Sequence, residues 1–208
     1  MRKLLVTAVA ALAFLVPSSA RAVIFLGVRG AYAMPSGDMA KDAPLKDQVS
    51  ASIPVQIDAG TSVLDLVYLG AYASYGPTTL AKDVKDGCSV AGISCKATNL
   101  RFGAQAFLRP PVVLKALWGG VFAGFEQQAI SLGSADLKYR GWEAGLQAGY
   151  DISVLPFIKI GPFASFSLAE FQVVSGAMVI PGYGDTLPLT SKARHNTLTF
   201  GLRGLFDF

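Results

Sequence analysis

Residues 198–208, LTFGLRGLFDF, place Leu198, Phe200, Leu202, Phe206 and Phe208 at every second position, with Gly204 the one gap in the row. Side chains alternate between the two faces of a strand, so that row is a single apolar face. The interleaved Thr197, Thr199, Gly201, Arg203, Leu205 and Asp207 make a mostly polar one. A soluble barrel turns its apolar face inward. The reverse, apolar outside and polar inside, is what a bilayer demands. Only helices and closed barrels satisfy every backbone N–H and C=O in hydrocarbon, and a spanning barrel alternates lipid-facing with lumen-facing residues.

The other end of the chain points to the same compartment. Arg2 and Lys3 form a short basic region, Leu4 to Val16 an apolar stretch of 13 residues, and Ala20-Arg21-Ala22 an A-x-A site. That is the pattern of an export signal, residues 1–22, cleaved after Ala22. Thirteen residues are too few to cross a bilayer of about 30 Å as a helix, which argues against an anchor. No cysteine follows Ala22 directly, so lipid attachment there is not expected.

Removing those 22 residues from 208 leaves 186, residues 23–208, one domain's worth of chain. Arg2, Lys3 and Arg21 leave with the signal, so a formal charge of +4 falls to 15 basic against 14 acidic residues. Nucleic-acid binding loses its compositional support, because it needs a clustered basic surface. Mean hydropathy is +0.45 and charged residues are 15%, against roughly 25% in a soluble domain. Yet no apolar run after residue 22 approaches the roughly 20 residues of a spanning helix, so the apolar residues are dispersed by alternation. Two cysteines and one histidine make a metal site an unpromising expectation, and none is assigned. No phosphate-cradling loop, nucleophile elbow or dinucleotide fingerprint suggests a cofactor.

Eight alternating segments follow the signal. Ile24 to Met34 sets Leu26, Val28 and Tyr32 against Gly27, Arg29 and Ala31; Ser52 to Ala59 sets Ile53, Val55 and Ile57 against Pro54, Gln56 and Asp58. Pro54 is tolerated there only at a bulge or an unpaired end. Asp65 to Tyr75 sends Val67, Leu69, Ala71 and Tyr75 outward and Tyr68, Gly70, Tyr72 and Ser74 inward. In Asn99 to Arg109, Leu100, Phe102, Ala104, Ala106 and Leu108 oppose Arg101, Gln105, Phe107 and the rest. Leu117 to Gln128 opposes Val121, Ala123 and Phe125 to Phe122 and Glu126. Alternation sends Trp118 inward, whereas a bulge at Gly119-Gly120 would send it outward. Tyr139 to Asp151 places Trp142, Leu146 and Tyr150 outward and Glu143, Gln147 and Asp151 inward. From Trp142 to Tyr150 is about 26 Å of strand, or about 20 Å along a bilayer normal at a tilt near 40°, the span of an apolar band between two aromatic girdles. Phe157 to Leu168 and the strand ending at Phe208 complete the set.

The connections alternate in length. Gly60 to Ser62, Pro110 to Lys115 and Ser153 to Pro156 read as tight turns; Pro35 to Ser50, Gly76 to Ala97 and Gln172 to Arg194 read as long loops, with Ser131 to Asp136 a short member of the second group. Short turns on one side and long loops on the other, with an even strand count, fit a membrane barrel.

With its export signal, alternating strands and terminal Phe208, the chain resembles the small eight-stranded bacterial outer-membrane barrels of the OmpA and OmpX type. The resemblance implies an all-β, eight-stranded, antiparallel up-and-down transmembrane β-barrel over residues 23–208, with loops extracellular and termini periplasmic. It implies outer-membrane lipid and lipopolysaccharide as surroundings, a monomer, and a last strand (Phe200, Leu202, Phe206, Phe208) read by the barrel-assembly machinery. Because the chain stops at Phe208, a peptidoglycan-binding domain is not expected.

Chemistry has three places to reside. Arg29, Asp58, Arg101, Glu126, Glu143, Lys159 and Arg203 are expected in the lumen, with Tyr68, Tyr72, Phe122 and Phe163. An eight-stranded barrel is just wide enough to be filled by its side chains, so a paired plug is favoured over an ion pathway. His195 is the only histidine. The outer-membrane lipid A deacylases and acyltransferases use a histidine with a serine and a carboxylate, but His195 is followed by Thr197, and Ser191 is a weak substitute. His195 is expected to be a solvated strand-end residue, and the chain a non-enzyme. Asp38, Asp42, Asp47 and Asp83 read as loop solvation. In an exported protein Cys88 and Cys95 are expected to close a disulfide, worth about 2.5 kcal/mol in the chain-entropy model. That would make the loop carrying Lys82, Lys85, Lys96, Asp83 and Asp86 a rigid tip for a partner or for surface sugars. Val173, Val174, Met178, Val179 and Ile180 extend the last hairpin or form a contact surface. The expected role is structural or interaction-mediating, with a narrow channel and a lipid-modifying enzyme as alternatives.

Overall fold

The computed structural model describes residues 23–40, 43–63, 66–110, 116–133, 135–176 and 186–208. The expected export signal, the Pro110 to Lys115 turn beyond Pro110, Asp42 and Met178 to Ile180 lie outside these. The strands are β1 (Val23–Ala40), β2 (Ala43–Pro44), β3 (Val49–Ser52), β4 (Val55–Val63), β5 (Val67–Leu80), β6 (Cys95–Leu108), β7 (Leu117–Leu132), β8 (Ala135–Tyr150), β9 (Ile152–Leu155), β10 (Ile158–Gly176) and β11 (Thr186–Asp207), and the described residues include one α-helix, α1 (Lys82–Val90), and a 3-10 turn at Leu45–Asp47. Hydrogen bonds run β1 to β3 and β4, then β5, β6, β7, β8, β10 and β11, and β11 pairs back onto β1. All these pairings are antiparallel, and the return of β11 onto β1 closes the sheet into an eight-stranded up-and-down barrel in which β3 and β4 act as one stave.

Each expected segment is present with its faces as expected, but most strands are longer. The β3/β4 break falls at Ile53-Pro54 because proline has no N–H for the ladder; Ala31 N–H donates to the Pro54 carbonyl at 3.1 Å across the gap. The tight turn expected at Gly60 to Ser62 is strand instead, with Gly60 opposite Gly70 and Ser62 opposite Tyr68. Register from β7 to both neighbours is unbroken through Gly119-Gly120, so no bulge forms and Trp118 points inward, 3% exposed. Its ring fits because a Cβ at Gly149, opposite, would lie 2.6 Å from it. Gly133, at φ +64°, makes the turn between β7 and β8.

The outside of the barrel is an apolar belt: Leu146, Leu202, Phe125 and Ile57 are all well exposed. Toward the loop end the pattern inverts. On β7 the outward row runs Val121, Ala123, Phe125 and then Gln127 and Ser131, while the inward row passes from Glu126 and Gln128 to Ile130. Met39, Leu45, Val49, Ile130, Phe171 and Ala193 form an internal apolar cluster at that end. An outward face that turns polar and an inward face that turns apolar are what a barrel needs where it leaves hydrocarbon for water. Phe25, Tyr68, Phe107, Trp118, Phe163 and Leu205 close the other end, near the chain termini.

Candidate functional site

The lumen is a stack of ion pairs between the two apolar ends, each layer assembled from several strands. Lys159 and Asp207 pair at the terminal mouth, partly exposed and apart from the rest. Above them Asp151, one residue beyond β8, accepts from Arg109 Nη2 at 2.5 Å, from Arg203 and from Trp118 Nε1 at 3.1 Å. The Arg203 guanidinium lies 3.7 Å from the Trp118 ring centroid and 4.8 Å from that of Phe107. Among the described residues its Nε and Nη1 find no oxygen partner, so ring faces provide part of what solvent would.

Arg29 forms the next layer. Its Nε donates to Asp58 at 2.6 Å, Nη1 to Gln147 at 2.5 Å and Nη2 to Gln105 at 2.8 Å, linking β1 to β4, β8 and β6. Gln105 and Gln56 also donate to Asp58 Oδ1, at 2.8 and 2.7 Å. Arg29 and Asp58 are almost fully buried, and a buried charge is tolerated only when so paired.

A cavity of about 40 Å³ separates this layer from Arg101. Arg101 meets Glu126 at 3.2 Å and Glu143 at 3.5 Å, and donates from Nε to Asn99 at 2.7 Å. Tyr72 donates to Glu143 at 2.7 Å and Asn99 to Glu126 at 2.6 Å. The second Glu126 oxygen lies 2.8 Å from His195 Nε2, and the imidazole stacks on Phe171 at 4.3 Å. Beyond Arg101 a second cavity of about 10 Å³ reaches the loop-end cluster. Both cavities suit waters, a few in the first and about one in the second, and neither suits an acyl chain.

The structure thus brings together six of the seven expected lumen charges in three layers and leaves Lys159 at the mouth. It corrects the reading of His195, which is 1% exposed and inside the barrel rather than solvated. The alternation that turns Arg203 inward also turns His195 inward, so the signal was present. Asp151, Arg109, Gln105, Gln147 and Asn99 join the network although the sequence offered only their inward parity. Asp38, Asp47 and Asp83 are exposed. The Ser191 side chain lies outside what the structure describes. Among the described residues no three His, Cys, Asp or Glu side chains converge as metal ligands would.

Cys88 in α1 and Cys95 at the start of β6 form a disulfide. The loop expected over Gly76 to Ala97 is shorter than that, since β5 runs to Leu80 and β6 starts at Cys95. Val173 and Val174 pair with Pro188 and Leu187, extending the last hairpin.

No protein-family model matches the chain, and no curated protein matches it. Among solved structures it is similar to Neisserial surface protein A, with 15% identity over 86% of this chain and 95% of that one and a TM-score of 0.56. It is also similar to the outer membrane protein OprG from Pseudomonas aeruginosa, with 9% identity, 88% and 95% coverage and a TM-score of 0.46. The attachment invasion locus protein Ail of Yersinia pestis follows at 12% identity, 89% and 97% coverage and a TM-score of 0.41. The chain has the fold of the small eight-stranded outer-membrane β-barrels.

Proposed function

We propose that the chain is a non-enzymatic, monomeric protein of the bacterial outer membrane, with its long loops outside the cell, its termini in the periplasm and its contacts made through the loops. The observation that carries this reading is the reversal of polarity along the barrel. An apolar belt surrounds a charge-paired lumen, and beyond the aromatic row of Phe102, Phe125 and Trp142 the outer face of β7 and β8 becomes polar, at Gln127, Ser131, Arg140 and Lys138. A barrel filled by its own side chains offers no bore for bulk solute, which leaves the loops as the variable surface. The stapled α1 tip, with Lys82 and Lys85 exposed, is suited to anionic partners.

The 40 Å³ cavity favours one second reading, a narrow ion path. That path requires both the Arg29 layer and the aromatic layer beneath it to move. A lipid-modifying enzyme would need lipid to reach His195 through the barrel wall. The orientation is tested with an epitope inserted after Gly92, an exposed turn position following α1. Antibody should bind intact cells, whereas binding only after the outer membrane is permeabilised would overturn the orientation. Unchanged lipid A masses in an overexpressing strain are expected, and a new acylation state would favour the enzyme.

A further inference from the structure

The outer face of the barrel carries a cleft that the lumen chemistry does not use. It lies at the loop-end edge of the apolar belt, where β10 bulges between Phe171 and Val173 against Gly141 and Arg140 of β8. Bulges of this kind re-aim side chains. Here the bulge leaves Gln172 exposed beside Arg140 and Gln127, over a floor of Leu100, Phe102 and Phe125, and the cleft measures about 310 Å³.

Arg140 Nε donates to Gln127 Oε1 at 2.8 Å, which orients the guanidinium. Among the described residues no carboxylate lies within ion-pair distance of it; the nearby Glu126 is turned inward onto Arg101 and His195, and Glu170 pairs with Arg194. Lys138 sits two residues further along the same face of β8. The height of the cleft selects its occupant. Phe102, Phe125 and Trp142 form one cross-strand row, and Leu100, Gln127 and Arg140 form the next toward the loops. An aromatic floor at the edge of hydrocarbon with an uncompensated cation directly above it complements a molecule with an acyl chain and an anionic head. The planar fork of arginine matches a phosphate in particular.

We propose that this cleft binds one phosphorylated lipid of the surrounding leaflet, its chain against Phe102 and Phe125 and its phosphate on Arg140. The proposal rests on the membrane reading above, so insertion is measured first. The folded protein should float with phosphatidylcholine vesicles, and protein that fails to float refutes the membrane reading itself. Floating protein is then taken into detergent, titrated with diphosphoryl lipid A and examined by native mass spectrometry. Wild type should retain one lipid, and Arg140→Gln should lower the retained fraction about tenfold, the scale of one charge-assisted contact. Lipid A stripped of its phosphates should show the same loss on wild type, an arm that does not depend on the variant folding. Equal retention by Arg140→Gln, or equal retention of the dephosphorylated lipid, would overturn the cleft while leaving the barrel's place in the membrane intact.

Discussion

Among the described residues Asp151 is the one carboxylate paired with two buried guanidiniums, those of Arg109 and Arg203, and it also accepts from the Trp118 indole. Asp151→Ala would remove the carboxylate that both cations share, and breaking a buried pair from one side costs about 3 to 5 kcal/mol. Urea unfolding in lipid vesicles should show a loss of that size; an unchanged midpoint would mean that the rings of Trp118, Tyr68 and Phe107 suffice. Leu146→Arg acts from the other face. Leu146 is 64% exposed on the belt, and an arginine near the midplane should cost about 2 to 4 kcal/mol in the same assay. At this scale the sequence disclosed the face of each residue, because alternation alone determines it. It did not disclose partners. Arg29 and Gln147 are 118 positions apart, and which inward residues share a layer depends on the stagger between strands, which no local pattern records. His195 was misjudged for a related reason: its strand continues beyond the membrane, so nearness to a loop did not mean contact with water.

β11 closes the barrel, pairing with β1 on one side and β10 on the other. Phe208, one residue beyond it, donates its N–H to the Ile24 carbonyl at 2.8 Å and is 70% exposed. If its ring is the end by which the assembly machinery takes the strand, Phe208→Asp should reduce outer-membrane levels and leave protein in the periplasm. Wild-type levels of the variant would remove Phe208 from that role. The disulfide between α1 and β6 lies beyond the belt, so Cys88→Ser with Cys95→Ser should leave insertion intact while amide exchange in α1 accelerates. Slow, unchanged exchange would show that α1 is held by its packing alone. The eight staves were legible as elements because lipid and lumen impose a period of two on each. Their extensions were not, since the polarity that marks a membrane strand reverses beyond the girdle and Ile130 or Phe171 then reads as out of phase. Lys82–Val90 read as loop because its Asp, Gly and Ser residues give little helical signal.

For the whole molecule the consequence is a barrel closed at three levels: the aromatic layer near the termini, the ion-pair layers of Arg29 and Arg101, and the apolar cluster at the loop end. The sequence supported a plug through the near balance of lumen charges, and the eight-stranded count came from its eight alternating segments, an even number as a membrane barrel requires. The apolar cap at the loop end was not foreseen, because it exists only where the barrel protrudes from hydrocarbon. Each level uses side chains from several strands, so no single rotamer change connects one mouth to the other. Planar-bilayer recording on the purified, folded protein tests this most directly. Conductance should be absent or very small across the voltage range the bilayer withstands, and steady currents from the wild-type protein would contradict the plugged barrel.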